Sequence, residues 1–463
     1  MSVLWTAKDA VVATGGRATG AWSVSGLSID TRSMEAGEMF IALKDQRDGH
    51  DFVADALAKG AGAALVSRIP DGVDETAPLL IVNDVQSALE ALGKYRRAQV
   101  NANVIGVTGS VGKTSTKEML RSVFAPDYKT HAAVKSFNNH WGVPLTLARM
   151  PLDTEIAIIE IGMNHPGEIA PLAKMADLDA AIITTVAAVH IEAFEDIEGI
   201  AKEKAAIFEG LRQNGVAIFN RDIECFEIVE QAANGFNQVS FGSSEDADFR
   251  LIQISGKGAV TTCLARARGQ EIAFKFQAAG AHFATNALAV LAAAEAVDMP
   301  LAKAMLNLAD WTAPDGRGAR SLLIFDGKTI ELIDESYNAN PTSVGAALDV
   351  LSESEPGSSR GRRIAFLGDM LELGEEEVPM HAGLADHPAI SKLSQVHTVG
   401  SRMRHLHDAL GGEFRGAWFE NSEVAAGELD HLLHDGDVVM IKGSLGAAMG
   451  KIVTALKNKT RGD

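Results

Sequence analysis

Short apolar runs alternate with helical stretches along the first hundred residues of the chain. Apolar runs at 39–43, 63–67 and 79–82 are accompanied by helical stretches at 52–59 and 85–97. Alternation of strands and helices of this kind is typical of an α/β unit. The pattern therefore predicts a small α/β domain over residues 1–100.

The middle of the chain contains apolar runs that polar residues scarcely interrupt. They lie at 104–107, 156–161, 181–186 and 216–219. Uninterrupted runs indicate strands buried on both faces, as in a parallel sheet covered by helices. Residues 238–276 instead have the pattern of short antiparallel strands, and the Ala- and Leu-rich segment 283–297 predicts a helix. A second domain is expected over residues 101–314.

The last third of the chain begins after a turn-rich break at 311–316. Asp326-Gly327 lies between two apolar runs, which predicts a tight hairpin. Further runs alternate with helical stretches at 363–367, 396–400 and 438–441. This indicates another open sheet. The fold class is therefore α/β, with a third domain over residues 315–463.

The overall composition narrows the classes of function. The chain has 463 residues, 46% of them hydrophobic, so it can form well-packed cores. Its net charge of −19 disfavours general binding to nucleic acid. Cys225 and Cys263, the two cysteines, lack the spacing of a disulfide framework or a metal site. The N-terminus lacks a signal-peptide pattern and no apolar stretch reaches about 18 residues, so we expect a cytosolic protein without membrane insertion.

A phosphate-binding loop is predicted between the strand at 104–107 and a helix that ends near Phe124. Glycine N–H groups can surround phosphates there, while a lysine neutralises their charge and a hydroxyl binds Mg²⁺. The strict phosphate-loop pattern fails at its first glycine, where Val107 stands. A glycine-rich turn without a ligand is the alternative, which the order of glycine, lysine and hydroxyl disfavours. The expected loop residues are Thr108, Gly109, Ser110, Val111, Gly112, Lys113, Thr114 and Ser115.

Two polar residues follow buried strands in the same region. Glu160 lies at the end of the run at 156–161 and His190 follows the run at 182–189. Parallel sheets present ligands at the carboxyl ends of their strands. An ordinary strand-end charge and a hydrogen-bonded structural histidine are the respective alternatives. The periodicity of residues 192–211 then predicts a helix whose charged residues face solvent. Its inward residues would be Ile200, Ile207, Phe208 and Leu211.

Taken together, several segments resemble the Mur ligases of peptidoglycan synthesis. The phosphate loop is common to that family and to folylpolyglutamate synthases, whereas Y-N-A-N-P at 337–341 and G-D-M-L-E-L-G at 368–374 are narrower. S-I-D-T-R at 28–32 and G-H-D-F at 49–52 resemble the family's uridine-nucleotide-binding domain. The resemblance covers nearly the whole chain, and its other segments are 136–146, 160–169, 280–288, 316–320 and 442–444.

The resemblance implies a three-domain architecture. Domain 1–100 would bind UDP-MurNAc-peptide, the central domain would bind ATP, and a Rossmann-like C-terminal domain would bind D-Ala-D-Ala. The implied activity is ATP-dependent carbon–nitrogen ligation. The γ-phosphate would pass to the carboxylate of UDP-MurNAc-tripeptide, and the amine of D-Ala-D-Ala would attack the acyl phosphate. UDP-MurNAc-pentapeptide, ADP and phosphate would result, in the cytosol of a bacterium and from a monomer that acts on small molecules.

The resemblance also assigns roles to particular residues. The catalytic set would be Lys113, Lys204, His190, Arg317 and Glu335, with Arg317 also at the nucleotide beside His282 and Asn286. Two Mg²⁺ ions would be held by Thr114, Glu160, His190 and Lys204, the lysine as a carbamate, although spacing alone gives Lys204 no special role. Substrate contacts would come from Ser28, Thr31, Arg32, Asn138, Asn139, Asn338 and Asn340. For Asn338 and Asn340, a turn role is the alternative.

Three departures from the family pattern limit the transfer of roles. They are Ser115 for a threonine, Phe283 for an asparagine and Glu335 for an aspartate. The alternatives left open are a sister ligase or a folylpolyglutamate synthase, and a P-loop ATPase or kinase that acts as a switch. Incorporation of D-Ala-D-Ala would distinguish the implied activity from a sister ligase or a folylpolyglutamate synthase. ATP turnover without an amine acceptor would indicate the ATPase or kinase switch.

Overall fold

The computed structural model describes residues 3–187, 193–194 and 196–459. The described chain forms three α/β regions, whose main sheets have five, nine and six strands. The predicted fold class is confirmed. None of the helices in the described ranges combines the length and apolarity needed to cross a membrane.

The N-terminal region has a small sheet of order β2-β7-β6-β5-β4, with a separate β1–β3 pair. Strands β4 to β7 run parallel, and β2 is antiparallel to β7. Its strands are β1 (Trp5–Thr6), β2 (Arg17–Ala18), β3 (Ser23–Val24), β4 (Gly26–Ser28), β5 (Glu38–Ile41), β6 (Ala63–Val66) and β7 (Leu79–Ile81). Its helices are α1 (Ala7–Thr14), α2 (Val53–Ala58) and α3 (Val85–Gln99).

The central region holds a nine-stranded sheet of order β16-β15-β14-β13-β12-β11-β8-β10-β9. Its strands are β8 (Asn103–Thr108), β9 (Thr130–Ala132), β10 (Ile156–Glu160), β11 (Leu178–Ile183), β12 (Leu211–Asn220), β13 (Asn237–Gly242), β14 (Phe249–Lys257), β15 (Val260–Ala267) and β16 (Gln270–Phe276). Its helices are α4 (Lys113–Phe124), α5 (Gly142–Ala148), α6 (Ile169–Ala176), α7 (Ile197–Ala205), α8 (Phe226–Ala232), α9 (Ala281–Ala296) and α10 (Leu301–Leu308).

Two sequence predictions for this region need correction. Strand β13 pairs in parallel with both neighbours, so only β14 to β16 form the antiparallel part of 238–276. The helix expected over 192–211 ends at Ala205 and is followed by a 3₁₀ turn, while Leu211 opens β12. The buried positions predicted there are nevertheless inward, because the turn continues the packing of the helix.

The carboxyl ends of the central strands define one edge of the sheet. Strand β8 lies between β10 and β11, and both neighbours are parallel to it. Every residue of β10 is buried, as expected for a strand covered on both faces. The loop after β8, Glu160 at the end of β10 and Thr184 after β11 therefore come together at this edge.

The C-terminal region has a six-stranded sheet of order β17-β18-β22-β19-β20-β21. The predicted hairpin is confirmed, with Asp326 and Gly327 both at positive φ. Its strands are β17 (Ala319–Phe325), β18 (Lys328–Glu335), β19 (Arg363–Gly368), β20 (Gln395–Val399), β21 (Arg415–Phe419) and β22 (Val438–Lys442). Its helices are α11 (Pro341–Glu353), α12 (Glu377–Ala382), α13 (Arg404–Ala409), α14 (Ser422–Gly427), α15 (Leu429–Leu432) and α16 (Gly450–Lys459).

Candidate active site

The loop between β8 and α4 has the shape of a phosphate cradle. Gly112 has a φ of 87° and directly precedes the first residue of α4. Gly109 has a φ of 148°, and a Cβ at this position would lie 1.9 Å from the Thr184 hydroxyl. The Ser110 hydroxyl donates to the Ala187 carbonyl at 2.9 Å. These contacts fix a loop whose N–H groups lie at the positive end of the α4 dipole, which suits an anion.

Lys113 lies inside this loop. Its Nζ donates to the Gly109 carbonyl at 2.6 Å. Burial lowers the pKa of the Lys113 ammonium, the negative charge of Glu160 opposes that shift, and the charge of Arg317 adds to it. A cation that is desolvated and close to a second cation gains by facing phosphate oxygens.

Glu160 and Thr114 form the oxygen-rich side of the site. Glu160 Oε1 accepts from the Thr114 hydroxyl at 3.0 Å and from Asn138 Nδ2 at 2.8 Å. Glu160 Oε2 is buried 4.0 Å from Lys117 Nζ and has no hydrogen-bond partner among the described residues. A carboxylate oxygen without a donor, beside a hydroxyl and a phosphate cradle, fits Mg²⁺, which takes few protein ligands and completes its shell with phosphates and water.

Lys204 is buried on α7, with 1% of its surface exposed. Burial and the nearby charge of Lys113 hold the pKa of its amine well below the usual value, while Glu203 acts in the opposite direction. A neutral amine is the form that reacts with CO₂. His190, another expected metal ligand, lies outside the described residues. Within the described ranges, no cluster of three or more His, Cys, Asp or Glu side chains is arranged for a metal ion.

Helix α9 contributes the predicted adenine-side residues. Asn286 lies against the loop, because a Cβ on Gly112 would be 3.0 Å from Asn286 Nδ2. Burial lowers the pKa of the partly covered His282 imidazole, with Glu335 opposing and Lys442 adding to the shift. Phe283 is buried and packs edge-on against Trp311, with 5.2 Å between ring centroids. The aromatic residue at this departure from the family pattern therefore serves packing.

The C-terminal region closes the site from the opposite side. The Arg317 guanidinium lies over the Tyr337 ring, 4.2 Å from its centroid. Arg317 Nη2 also donates to the Ser136 hydroxyl at 3.2 Å, and Ser136 in turn lies 3.0 Å from Thr114 Oγ1. Arg317 thus connects the C-terminal region with the side of the loop that holds Thr114 and Glu160.

Glu335 is paired in the structure with a lysine that sequence reasoning did not assign to the site. Lys442 Nζ lies 3.1 Å from Glu335 Oε2 and 3.1 Å from the Asn338 carbonyl. The K-G-S motif at 442–444 was the available signal, but nothing in it pointed to Lys442 as a site residue. Tyr337 and Ser136 also lay within recognised motifs without an assigned role.

The predicted asparagines have structural bonds. Asn138 supports Glu160, and Asn139 Oδ1 accepts from the Gly142 N–H at the start of α5. Asn340 caps α11 through a reciprocal pair of hydrogen bonds with Ser343. Its side-chain oxygen therefore bonds to the nearby backbone, as the turn alternative predicted. Asn338 is exposed. The substrate contacts of all four remain predictions.

Most of these groups, but not Lys204, line one cavity of about 560 Å³ between the central and C-terminal regions. Its walls include Lys113, Glu160 and Asn286 on one side and Arg317, Glu335 and Lys442 on the other. The phosphate cradle therefore lies across the cavity from the charged residues of the C-terminal region.

A larger cleft of about 1760 Å³ lies between the N-terminal and central regions. Ser28, Thr31 and Arg32, whose substrate contacts remain predictions, line it, and Arg32 pairs with Asp30 at 2.8 Å. His50 lies there too, and its Nδ1 is 2.6 Å from Asp48. This cleft is separate from the cavity that Lys113 and Glu160 line.

Comparison with known proteins defines the class to which this architecture belongs. Three family models match in chain order: Mur ligase family, catalytic domain, over residues 23–99; Mur ligase middle domain over 107–294; and Mur ligase, glutamate ligase domain, over 322–445. The chain belongs to the Mur ligase family, as the sequence motifs predicted.

Relatives of one particular type are similar along almost the whole chain. The UDP-N-acetylmuramoyl-tripeptide–D-alanyl-D-alanine ligase of Rickettsia prowazekii is 31% identical over 97% of this chain and 99% of its own. The Escherichia coli ligase of the same name is 34% identical over 94% of each. A crystal structure of MurF from Acinetobacter baumannii gives a TM-score of 0.84 at 28% identity, covering 98% of this chain and 99% of that one. The fold also matches MurF ligase from Thermotoga maritima in complex with ADP, with a TM-score of 0.77 at 23% identity, covering 94% and 98%.

Proposed function

We propose that this enzyme joins D-alanyl-D-alanine to UDP-N-acetylmuramoyl-tripeptide with consumption of ATP, giving the pentapeptide precursor of peptidoglycan, ADP and phosphate. One observation carries the proposal. The phosphate cradle of Lys113 and the Glu335–Lys442 pair line a single cavity between two regions of the chain. A ligase must bring a nucleotide and an amine acceptor to one carboxylate. In this cavity the phosphate loop would hold the nucleotide, and the wall with Glu335 and Lys442 would hold the acceptor.

The chain's own groups suit the activation of a carboxylate. A carboxylate is a poor electrophile, and its phosphorylation supplies a leaving group. Lys113 and Arg317 would hold the transferring phosphoryl group by charge, which is the main catalytic requirement of such transfers. Arg317 is oriented for this by Tyr337 and Ser136. Glu335 would take up the proton that the attacking ammonium must lose.

Thr114 and Glu160 would hold Mg²⁺ beside the phosphates. Bound there, the ion would neutralise the negative charge that collects on the phosphate oxygens. The orphaned Glu160 Oε2 supports this assignment. A second ion would be held by His190 and a carbamate on Lys204.

The carbamate on Lys204 is a separate part of the proposal. Its amine is buried beside Lys113, so two like charges would face each other unless one is neutralised or inverted. Addition of CO₂ to the neutral amine releases a proton and leaves a carboxylate. Lys204→Ala should lose about 100-fold or more in turnover, and formate or acetate should restore part of it. Lys202→Ala, on the exposed face of α7, is the matched control, and full turnover of Lys204→Ala would refute the carbamate.

The large cleft beside Ser28, Thr31 and Arg32 would bind the uridine nucleotide. The substrate's peptide would then extend toward the inter-domain cavity. We propose that the enzyme works as a monomer in the cytosol. Light scattering on purified protein should give the mass of a single chain.

Phosphate release tests the proposed function. Purified protein is incubated with ATP, Mg²⁺, UDP-MurNAc-tripeptide and D-Ala-D-Ala, each omitted in turn, and the product is identified by mass. Release that requires both substrates, with the pentapeptide mass, is expected. Incorporation of a single amino acid instead would indicate a sister ligase, and release without any acceptor would indicate an ATPase.

A further inference from the structure

Two groups of charges line the inter-domain cavity, and they lie at different places. Lys113, Glu160 and Arg317 interact around the phosphate loop. Glu335 and Lys442 form a second group around His282. The first group has the phosphate-binding geometry described above, whereas Lys442 in the second group has no ligand assigned to it.

Lys442 has the features of a built anion site. It ends β22 with only 2% of its surface exposed, yet it lines the cavity. An ammonium has three N–H donors. Two of them are accounted for in the described structure, by Glu335 Oε2 and the Asn338 carbonyl. The third donor remains for a ligand.

The lining of the cavity includes small apolar side chains as well as charged and polar ones. The same cavity wall includes Ala346 and Ala347 from α11 and Leu445 after β22. Methyl groups would pack against such residues at no polar cost. Arg317 and Lys113, the cavity's other cations named above, are engaged at the phosphate loop by Ser136 and Gly109.

We propose that Lys442 binds the terminal carboxylate of the dipeptide acceptor and thereby selects acceptors with a free acid group. This inference rests on the proposed function, because it names the contact that the second substrate makes. The acceptor is a zwitterion, so its ammonium can face Glu335 while its carboxylate takes the free Lys442 donor. Lys442 is then a specificity-determining residue.

The test compares two acceptors that differ only in charge. D-Ala-D-Ala and its C-terminal amide share the amine and both methyl groups. Wild-type enzyme should use the free acid with a kcat/KM about tenfold or more above that of the amide. Lys442→Met should lower that ratio to about one, by reducing use of the acid alone. Lys442→Arg keeps the charge and should keep a preference for the acid.

Controls separate recognition from folding. Lys451→Met, on the exposed face of α16, should leave both acceptors unaffected. Calorimetric binding of UDP-MurNAc-tripeptide reports a correctly folded protein, and Lys442→Gln is the second variant if Lys442→Met does not fold.

The outcomes are distinct for each hypothesis. If the variants retain the wild-type preference, or lose both acceptors equally, Lys442 does not bind the carboxylate. Equal use of acid and amide by wild-type enzyme also overturns the proposal. If wild-type enzyme ligates neither dipeptide, the proposed function fails, which is a different result.

Discussion

At the level of single residues, the sequence predicts site residues that a local motif contains and misses those whose surroundings come from distant segments. The phosphate-loop residues could be predicted because glycine, lysine and hydroxyl follow one another in a local order that the chemistry requires. Lys204 could not be found by spacing, because its burial comes from elements far away in the chain. The Lys442–Glu335 pair joins positions 107 residues apart, so no local pattern contains it.

Gly109 is the glycine of the phosphate loop at which an added side chain would clash most closely with a neighbour. An added Cβ would displace Thr184, whose hydroxyl donates to the Val111 carbonyl at 2.6 Å. We expect Gly109→Ala to lose about 2–4 kcal/mol of unfolding free energy, from backbone strain and lost hydrogen bonds, and to weaken ADP binding at least tenfold. Urea unfolding and calorimetry measure the two effects.

Gly72→Ala is the matched control for this substitution. Gly72 also has a positive φ, 78°, but a Cβ there meets nothing within 4 Å. It should cost only about 1 kcal/mol and leave ADP binding intact. Equal losses in the two variants would show that strain alone, and not the Thr184 contact, sets the requirement at Gly109.

His397 should make stability depend on pH. It is buried in β20, where its Nδ1 accepts from the Ala417 N–H at 2.9 Å. Burial, aided by the charge of Arg362, lowers its pKa from 6.5 to about 4. The folded state thus resists protonation that the unfolded state accepts. Stability from this group is complete above pH about 6.5 and falls by about 3 kcal/mol as the pH drops to about 4.

Urea unfolding of wild-type protein and of His397→Asn across this pH range tests the expectation. Asparagine can still accept from the Ala417 N–H, so the variant should show a shallower loss of unfolding free energy with acid. His431→Asn, an exposed site on α15, should keep the wild-type slope. Parallel curves for wild type and His397→Asn would exclude His397 as the cause.

At the level of elements, positions were easier to predict than pairings. The run at 438–441 became β22, and the helix predicted over 85–97 became α3, because each carries its own apolar pattern. The prediction that β13 is antiparallel was wrong, because an apolar pattern indicates burial and does not indicate the direction of the neighbouring strand. The loops between the elements bring the site together, and their contacts are between distant segments.

Ser444 is a positioning residue that links two such loops. Its hydroxyl accepts from the Leu371 N–H at 3.0 Å and donates to the Ala339 carbonyl at 3.2 Å. It therefore ties the G-D-M-L-E-L-G loop to Y-N-A-N-P. We expect Ser444→Ala to raise the KM for the dipeptide about tenfold with little change in the KM for ATP, in steady-state phosphate-release kinetics.

Rescue distinguishes positioning from a general loss of stability. Ser444→Thr retains the hydroxyl and should recover most of the dipeptide KM. Ser391→Ala, which removes an exposed hydroxyl bonded to the Pro388 carbonyl, should change neither KM. A rise of both KM values together in Ser444→Ala would argue against a specific link between the loops.

At the level of the whole molecule, the three regions are not equally independent. The core of the N-terminal sheet includes Leu145 and Ala148 from α5 of the central region. Trp5 Nε1 donates to the Ala148 carbonyl at 2.9 Å, and Arg96 Nη1 to the Met150 carbonyl at 3.0 Å. By contrast, the two C-terminal core clusters draw their buried members from residues 323–456. The N-terminal and central regions thus share a core that the C-terminal region does not enter.

This division predicts which fragments of the chain fold alone. Residues 315–463 and residues 1–314 should each give a cooperative urea transition and dispersed amide proton resonances, because each contains its complete core. Residues 1–100 should not, since they lack the α5 residues that cover their sheet. A cooperative transition for 1–100, or none for 315–463, would contradict the division. If it holds, the C-terminal region can move as one body about residues 314–318, carrying Glu335 and Lys442 relative to the phosphate loop, while the cleft lined by Ser28, Thr31 and Arg32 keeps its shape.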